Sequence, residues 1–430
     1  MMDFLQNLPP LALKETFSEF WYIWKVYFLK TWWVLPPIFL FIIYYIWLFF
    51  KREAYLKSIK WVFLAISVPQ ESEINPKSME QVIAGFYGIK GDPNFVEKYW
   101  EGQVQLHMSL ELVGIDGHIR FVVGTPEKYR DLVEAGIYAY YPEAEILEIE
   151  DYAKYMPKMF PNDKYEMFGT EFVLTKPDAY PIRTYQEFSN ELSEERFIDP
   201  VAAITEVMSK LKEGEQIWLQ WLIGPTGDKW KEAGEKLIAK LIHLKLEKKE
   251  DFVQKNILSL LHGAQKGIES AAGVPEAGAK EEYEPISWMQ HLPPSEKDVV
   301  EAIGRNIAKI GFKTKFRFIY IARKEIFDKT RRNAVLGAVS LFNTLNLNGF
   351  KVHKKMKTKV DYFKFRIPYR QRRITRYFKE RTIKKGINPF VFNIEELATV
   401  FHFPYVTVKS PTIARTAAKK AEPPVDLPIS

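Results

Sequence analysis

A run of twenty residues without a charge, Thr31 to Phe50, constrains this chain more than any other feature of its sequence. As an α-helix with a rise of about 1.5 Å per residue, the run would be ~30 Å long, which matches the hydrocarbon core of a bilayer. A helix in a soluble core seldom needs this length. A cleaved signal peptide is a poor fit, because the run is long and no small-residue cleavage site precedes Lys51. The run therefore predicts a transmembrane anchor.

The predicted anchor contains two prolines and many aromatic residues. Pro36 and Pro37 lie inside the run, and a proline inside a helix removes a backbone hydrogen bond, so we expect a kinked span. The residues expected to contact lipid are Trp32, Trp33, Phe39, Phe41, Tyr44, Trp47 and Phe50.

Aromatic and charged residues also alternate upstream of the run, from Phe17 to Phe28, at helical spacing. Such a helix suits the headgroup zone of a membrane, although an ordinary soluble amphipathic helix has the same pattern. We assign residues 1–54 to this helix together with the anchor.

The flanks of the anchor differ in charge. The nearby basic residues are Lys25 and Lys30 on the N-terminal side and Lys51, Arg52, Lys57 and Lys60 on the C-terminal side. Flanks with more Lys and Arg stay in the cytoplasm. The sequence thus predicts a single-pass protein of the cytoplasmic membrane whose C-terminal domains lie in the cytoplasm.

The rest of the chain is long enough for two or three domains, and with 47% hydrophobic residues overall it can bury substantial cores. The sequence contains no cysteine. Disulfides, thiolate nucleophiles and cysteine metal sites are therefore excluded, although the compartment is not fixed by this.

Residues 55–160 follow the order β-α-β-β-α-β, which is that of a ferredoxin-like domain. The predicted elements are a strand at 61–69, a helix from Lys77 to Ile89, a hairpin that turns at Ile115–Gly117, a helix capped by Thr125 and ending near Tyr141, and a strand at 144–150. The predicted fold class is α+β.

Residues 161–353 repeat this order, interrupted by an insertion at 228–294. Strands are expected at 172–177, 215–225, 313–322 and 349–353, and helices at 200–212, at 324–345 and from Ser295, where Asp298 would complete a capping box. The insertion reads as a helical arm with a flexible return, or as an ordinary surface helix. Whether residues 161–353 are a true repeat of residues 55–160 or only resemble them by chance stays open.

The sequence offers no catalytic constellation. The stretch from Gly224 to Trp230 follows a strand like a phosphate loop, but its two glycines are too close and Trp230 stands where a hydroxyl is needed. The seven histidines include no zinc motif, and no nucleophile elbow occurs. We therefore predict a protein that is not an enzyme, with no cofactor and no metal.

Positive charge is concentrated in one segment. Between Lys351 and Lys385 there are 15 Lys or Arg and two acids, whereas the remaining chain has 46 basic and 52 acidic residues. Within the basic aromatic segment 354–386, the residues expected to bind a nucleic acid or another anionic surface are Lys354, Lys355, Lys357, Arg370, Arg372, Arg373, Arg376, Lys384 and Lys385. Phosphates with stacked bases, anionic lipid and an acidic protein are all suitable partners. A solvated connector whose aromatics pack on the domain is the alternative without a partner.

After this segment, residues 387–411 are predicted to form a C-terminal strand and a short helix, with Asn393 as the helix cap and Glu396 in the third position. Its apolar side chains would either dock a partner or cover the second domain; they are Leu397, Val400, Phe401 and Phe403. Residues 412–430 have the Ala, Lys and Pro content of a flexible linker.

The N-terminal span and four phrases, "YPEAEILEIEDY", "LNGFKVHKK", "FNIEELATVFHFP" and "EPPVDLP", resemble the membrane-anchored amino-terminal module of TraG-like and TraC-like conjugative ATPases of type IV secretion systems in bacteria with reduced genomes. The resemblance covers nearly the whole chain. In that family a P-loop ATPase domain follows the segment similar to "EPPVDLP", and here none does, so the resemblance implies a separate ATPase subunit.

Together, these features predict a membrane-anchored scaffold or docking subunit of a type IV secretion-like or conjugative DNA-transfer machine. Its expected partners are membrane lipid, a P-loop ATPase and DNA, and we expect it to form an oligomer. The alternative is a membrane-tethered nucleic-acid-binding protein that acts through residues 351–385.

Overall fold

The computed structural model describes residues 21–22, 24–25, 30, 32–69, 75–157, 159–190, 199–242, 292–359 and 364–404. The chain divides into two compact units. The first contains Met1–Lys60 with Gly91–Gln105, and the second contains Trp61–Lys90 with Leu106–Ser430. Most of the helix predicted upstream of the anchor, most of the insertion and the linker-like tail lie outside the described residues.

The main element of the first unit is α1, Leu35–Ser58, a helix of 24 residues preceded by a 3-10 turn at Trp32–Val34. The expected kink is wrong: Pro36 and Pro37 lie in the first turn of α1, where a missing N–H removes no helical hydrogen bond. By length and composition α1 could cross a membrane, and a signal sequence near an N-terminus has the same properties. Its only buried residue is Leu48, so α1 is not a core helix of the described unit.

The second piece of the first unit, Gly91–Gln105, contains a π-helical turn at Glu97–Glu101. The predicted first ferredoxin-like domain, residues 55–160, includes this segment. The structure groups it with α1 instead.

In its described residues, the second unit is a mixed α+β body around an antiparallel sheet of nine strands. Its first half comprises β1 Trp61–Ser67, α2 Pro76–Gly85, β2 Met108–Ile115, β3 His118–Pro126, α3 Arg130–Tyr140 and β4 Glu145–Ile149. Its second half comprises β5 Tyr165–Leu174, α4 Tyr185–Asn190, α5 Ala202–Ser209, β6 Glu215–Pro225, α6 Lys229–Leu241, α7 Pro294–Ile307, β7 Gly311–Arg323, α8 Lys329–Val339 and β8 Phe350–Val352. It ends with α9 Ile367–Lys379, β9 Phe390–Asn393 and α10 Ile394–Val400.

The strand order is β4-β1-β3-β2-β6-β7-β5-β8, and β9 pairs with β7. The pairing of β2 with β6, from Met108 opposite Ile223 to Ile115 opposite Gln216, joins the two halves. The two predicted domains therefore share one sheet, and the boundary predicted at residue 160 separates its halves.

Side chains alternate between two buried faces of this sheet. The first face, with Leu110, Trp221 and Phe316, belongs to the larger core cluster, which also takes in residues of α2, α3, α5, α8 and α10. The second face, with Val113 and Trp218, packs with Ile374 and Phe378 of α9 and with the segment around Tyr152. Because both faces are covered, nearly every residue of β6 and β7 is buried, including polar ones.

Several predicted boundaries need correction. Thr125 lies inside β3 and caps no helix, because the strand continues to Pro126. The helix α7 begins at Pro294 without a side-chain cap, so the capping box of Ser295 and Asp298 is wrong. The helix predicted at 324–345 is shorter, since Asp328 caps α8.

Candidate functional site

The basic segment forms the helix α9, which packs on the second face of the sheet. Its buried residues are Gln371, Ile374, Thr375 and Phe378, a stripe at helical spacing. Gly169 in β5 makes the close approach possible, because a Cβ there would lie 3.0 Å from Cγ2 of Ile374. The helix is therefore a fixed part of the fold.

Two of the predicted binding arginines serve the fold itself. Arg370 Nη1 donates to the carbonyl oxygens of Lys354 and Lys357, both at 2.9 Å. Arg373 Nη2 donates to the carbonyl oxygen of Lys355 at 2.6 Å. These bonds hold the turn at 353–357 against α9, and they leave fewer donors of Arg370 and Arg373 for a ligand.

The other predicted residues differ in exposure. Lys354, Lys355, Arg372, Arg376 and Lys384 are exposed, whereas Lys357 and Lys385 are half-buried. Lys385 Nζ also lies 3.1 Å from a carboxylate oxygen of Glu380.

An aromatic ring accompanies the exposed bases. Tyr369 is 63% exposed, and it lies on the same side of α9 as Arg372 and Arg376, three and seven residues before them. We call Lys354, Lys355, Tyr369, Arg372 and Arg376 the basic face. Two further aromatics of the segment, Tyr362 and Phe363, lie outside the described residues.

A row of buried polar side chains crosses the sheet on its second face. Glu111, Gln220, Arg317 and Glu171 stand opposite one another on β2, β6, β7 and β5. All four are fully buried, with relative exposures of 0%. Their hydrogen bonds run from Gln220 Nε2 to Glu111 at 2.8 Å, from Arg317 Nη1 to Gln220 at 3.2 Å and from Arg317 Nε to Glu171 at 2.8 Å. We call these residues the polar row.

Arg381 closes one end of the polar row. Its Nε and Nη2 donate to the two carboxylate oxygens of Glu111 at 2.8 and 3.2 Å, and its Nη1 and Nη2 donate to Asp151 at 3.0 and 2.9 Å. The hydroxyl of Tyr152 donates to the same Glu111 at 2.7 Å. Burial opposes the charge of Arg381, but Glu111, Tyr152 and Asp151 outweigh it and raise the pKa of Arg381. The ion pair is therefore charged and saturated with hydrogen bonds.

Arg317 and Glu171 fasten the chain that follows α9. Arg317 donates to the carbonyl oxygens of Tyr377 at 2.8 Å and Thr382 at 2.6 Å. Glu171 Oε2 accepts from the backbone N–H of Ile387 at 2.9 Å. Gly386 has a φ of +102°, and a Cβ there would lie 2.5 Å from Glu171, so glycine is required at this position. The polar row thus anchors the whole stretch from α9 to β9.

A cavity of about 560 Å³ opens beside Arg381. It is lined by Trp61, Val62, Phe63, Glu148, Ile149, Glu150, Asp151, Lys154, Lys379, Glu380 and Arg381. Several charged groups of this wall are engaged within the fold: Asp151 with Arg381, Glu148 with Arg130, and Lys379 with the carbonyl oxygen of Met156. No group of three or more His, Asp or Glu residues in the described ranges could hold a metal ion.

The predicted docking patch is buried. Leu397, Val400, Phe401 and Phe403 are between 0% and 4% exposed, so a partner cannot reach them in this fold, and the docking prediction is wrong for these side chains. Asn393 and Glu396 do form the predicted capping box at the start of α10. The four side chains belong to the larger core cluster, as the alternative, in which they cover the second domain, describes.

In the first unit, the predicted membrane residues fall into two groups. Trp33, Phe39, Phe41 and Phe50 are more than half exposed, whereas Tyr44 and Trp47 are partly covered. The side chain of Trp32 lies outside the described part of the chain.

The polar row and Arg381 are not among the site residues predicted from the sequence. A usable signal exists for Glu111, which is the single charge in its strand MSLELVGI. A charge at a position that alternation assigns to a buried face needs a partner in the fold.

Burial also shifts the pKa of His107. The Nε2 atom of this histidine lies 2.6 Å from the carbonyl oxygen of Arg381. Burial lowers its pKa to about 4; the bond to the Arg381 carbonyl opposes this shift, and the charges of Arg317, Lys384 and Lys315 add to it. In the unfolded chain the pKa of a histidine is about 6.5. At a pH between these two pKa values, His107 is protonated in the unfolded chain but not in the folded one. Acid therefore favours the unfolded chain, and the free energy of unfolding falls as the pH falls.

We therefore expect His107→Gln to reduce the acid sensitivity of folding. The amide of Gln can still donate to the Arg381 carbonyl but does not titrate. The free energy of unfolding, measured in urea at about pH 7.5 and about pH 4.5, should drop by up to about 3 kcal/mol more in the parent than in the variant. Equal drops would mean that His107 is protonated in the folded state. His118→Gln is the control, because His118 is exposed.

Comparisons with known proteins add a family. The model of a domain of unknown function, DUF8128, matches residues 69–416. A search of curated proteins finds no match. The matched range begins after α1 and β1, and it contains strands β2 to β9 of the sheet, the polar row and the basic face.

Proposed function

The chain belongs to the DUF8128 family, and we propose that it is a membrane-anchored, non-enzymatic scaffold of a type IV secretion-like or conjugative DNA-transfer machine. In this proposal it docks a P-loop ATPase at the cytoplasmic membrane. The observation that carries the proposal is the exposed apolar surface of α1.

The apolar side chains of α1 point outward around the helix. Residues at successive positions are exposed, including Phe39 at 63%, Leu40 at 65% and Phe41 at 61%. An apolar surface of this size in water is unstable, whereas in a bilayer it is solvated by lipid tails. This supports a helix that remains in the membrane and holds the second unit there.

The order of strands supports two ferredoxin-like units. Numbered from the start of each half, both halves have the order 4-1-3-2, given by β4-β1-β3-β2 and by β8-β5-β7-β6. That is the order expected of the β-α-β-β-α-β arrangement, and it favours the internal repeat. We propose that the units are joined edge to edge through β2 and β6, which removes two exposed sheet edges.

A scaffold has to stay folded while partners bind to it. The second unit has buried ion pairs that suit this role. Arg317 and Arg381 tie the segment after α9 to the sheet through buried ion pairs with Glu171 and Glu111. Losing one partner of such a pair is costly, so partial opening of the segment is disfavoured. The link to secretion and to an ATPase rests on the resemblance of the quoted phrases.

Anchoring is tested by extraction of cell membranes that contain the full chain. We expect the chain to remain in the membrane pellet after washing at alkaline pH, because α1 is held by apolar contacts. Terminal sequencing should still find α1 in the membrane-bound protein, which separates an anchor from a cleaved signal sequence. Protease added to intact cells should spare the second unit. Release by alkali would contradict anchoring, and degradation would reverse the orientation.

The scaffold role is tested by co-purification of the full chain with candidate P-loop ATPases from the same genome. The full chain, extracted in mild detergent, should retain the ATPase. A deletion of residues 387–430 would also remove α10, so it folds only if α10 is dispensable for folding. A shorter deletion of residues 412–430 is therefore the sharper variant, because it spares α10. Failure of the full chain to retain the ATPase would contradict the proposal.

The alternative function, nucleic-acid binding, is favoured by the basic face. Lys354, Lys355, Arg372 and Arg376 are exposed beside an exposed tyrosine ring, a combination that suits phosphates and stacked bases.

Replacing Arg372 and Arg376 with Gln is expected to weaken binding of single-stranded DNA by the full chain in zwitterionic nanodiscs. Each lost phosphate contact lowers the slope of log K against log salt by about 0.7, so the pair should lower it by about 1.4. The control is Lys324→Gln with Lys329→Gln, which removes the same charge from an exposed region outside the basic face. An equal slope in both double variants would exclude the basic face as the DNA site.

A further inference from the structure

Within the described part of the first unit, the segment Gly91–Gln105 carries apolar side chains that remain mostly exposed. Phe95 is 76% exposed, Val96 56% and Trp100 66%. They lie within six residues of one another, around the π-helical turn at Glu97–Glu101. Three such side chains in one short segment form an apolar patch.

This segment is attached to α1 by specific contacts. The hydroxyl of Tyr44 donates to the carbonyl oxygen of Tyr99 at 3.1 Å, and the rings of Trp47 and Trp100 are 5.2 Å apart. Tyr44, Trp47 and the buried Leu48 lie on one side of α1, at helical spacing.

A glycine fixes the end of the attachment. Gly102 has a φ of +78°, and a Cβ there would lie 2.9 Å from the backbone of Lys51 and Arg52. Glycine is therefore needed both for the left-handed conformation and for the close approach. The patch is held at a defined height along α1.

That height corresponds to the membrane interface if α1 spans a bilayer. Lys51 and Arg52 mark the charged end of the apolar helix, and Tyr44 lies seven residues before Lys51, about 10 Å deeper. The interfacial zone on each side of the hydrocarbon is about 5–8 Å thick. Trp47 and Trp100 then lie near the boundary between headgroups and acyl chains, where Trp and Tyr are enriched.

The charges of the segment are compatible with this position. Glu97 Oε2 accepts from the backbone N–H of Asn94 at 2.8 Å, and Glu101 accepts from Gln103 at 3.0 Å. Lys98 Nζ lies 5.2 Å from the ring centre of Tyr99, as a cation over an interfacial aromatic. The polar groups can stay at headgroup level while the apolar side chains reach deeper.

We infer that Phe95, Val96 and Trp100 insert into the lipid interface beside α1 and form a second membrane contact of the anchor. The inference rests on the proposed anchoring of α1. A single helix can rotate about its axis in the bilayer, and a lipid-inserted side segment fixes that rotation. The partner is the phospholipid bilayer, at the boundary of its headgroups and acyl chains.

The absence of cysteine from the sequence permits a direct test. Single-cysteine variants Phe95→Cys, Val96→Cys and Trp100→Cys of the full chain are labelled with the fluorophore NBD and placed in nanodiscs of phosphatidylcholine and phosphatidylglycerol. Lipid carrying a nitroxide near the top of its acyl chain should quench roughly half of the emission at each site, because an interfacial depth of about 5–10 Å is within reach of that probe. Phe95→Cys is the most informative variant, since Phe95 is the most exposed of the three side chains and its replacement removes only a ring contact with Tyr99 at 4.8 Å.

Two further positions make the result decisive. Phe41→Cys reports whether α1 is in the bilayer, and Tyr155→Cys, at 75% exposed, reports an aromatic position of matched exposure in the second unit. Quenching at 41, 95, 96 and 100 but not at 155 supports the inference. Quenching at 41 without quenching at 95, 96 and 100 overturns the inference and leaves the anchor intact. Absence of quenching at 41 overturns the proposed anchoring itself.

Discussion

Arg381→Met is expected to lower the free energy of unfolding by about 3–5 kcal/mol, because it leaves a buried charge without its partner. Glu111 is 0% exposed, and Arg381 supplies two of its hydrogen bonds, at 2.8 and 3.2 Å. Methionine has a similar length but no charge and no donors. The remaining partners, Tyr152 and Gln220, are neutral and cannot compensate for a buried carboxylate.

The measurement is urea unfolding of the full chain in mild detergent, followed by tryptophan fluorescence. Trp218 is a suitable reporter, since its ring packs against Tyr152 and Phe378 on the same face of the sheet. The matched control is Arg376→Met, at an exposed position of α9, where an effect within about 0.5 kcal/mol is expected.

A second variant separates the ion pair from simple packing. Glu111→Gln combined with Arg381→Met removes both charges, so its destabilisation should be smaller than that of Arg381→Met alone. If the double variant is less stable than the single one, the loss comes from packing of the arginine over the ring of Phe63, which lies 4.0 Å from the guanidinium carbon.

Local features of this fold could be read from the sequence. The turn at Asp116 and Gly117 was predicted from its residues, and both have positive φ values. The strand predicted at 215–225 matches β6 in full. The capping box at Asn393 and Glu396 is present. Each of these depends on residues close in sequence, whose conformational preferences act without help from the rest of the chain.

Long-range features could not be read in this way. The pairing of β2 with β6 turns two predicted domains into one sheet, and a strand's own residues do not tell which edge it will meet. The burial of Arg317 is a similar case. Its charge favours a surface position, and its burial depends on distant partners: Gln220 and Glu171 on adjacent strands and backbone carbonyls of the chain after α9.

The basic segment shows the same limit at the candidate site. Composition located the charge, but it did not distinguish Arg370 and Arg373, which donate to backbone carbonyls, from Arg372 and Arg376, which are exposed. Helical spacing identifies the side of α9 that packs inward. The hydrogen-bond partners of Arg370 and Arg373 depend on the position of the turn at 353–357 relative to α9. The sequence does not specify that position.

Phe401→Ala tests the assignment of the apolar residues after α10 to the core, and it should lower the free energy of unfolding by about 3–5 kcal/mol. The ring of Phe401 is 1% exposed and packs edge-on with Phe121 at 5.7 Å and with Trp221 at 6.0 Å. Removing it leaves a cavity between strands of the sheet and the chain that follows α10, where the surrounding aromatics cannot collapse freely.

The control for this prediction is Tyr155→Ala, which removes a large aromatic at a position that is 75% exposed and should change stability by less than about 0.5 kcal/mol. Thermal unfolding of both variants is compared with their ability to retain the P-loop ATPase in mild detergent. A core residue predicts lost stability in Phe401→Ala and unchanged ATPase retention among the molecules that remain folded. A folded, equally stable variant that no longer retains the ATPase would instead restore Phe401 as a docking residue, and it would require the end of the chain to open when the partner binds.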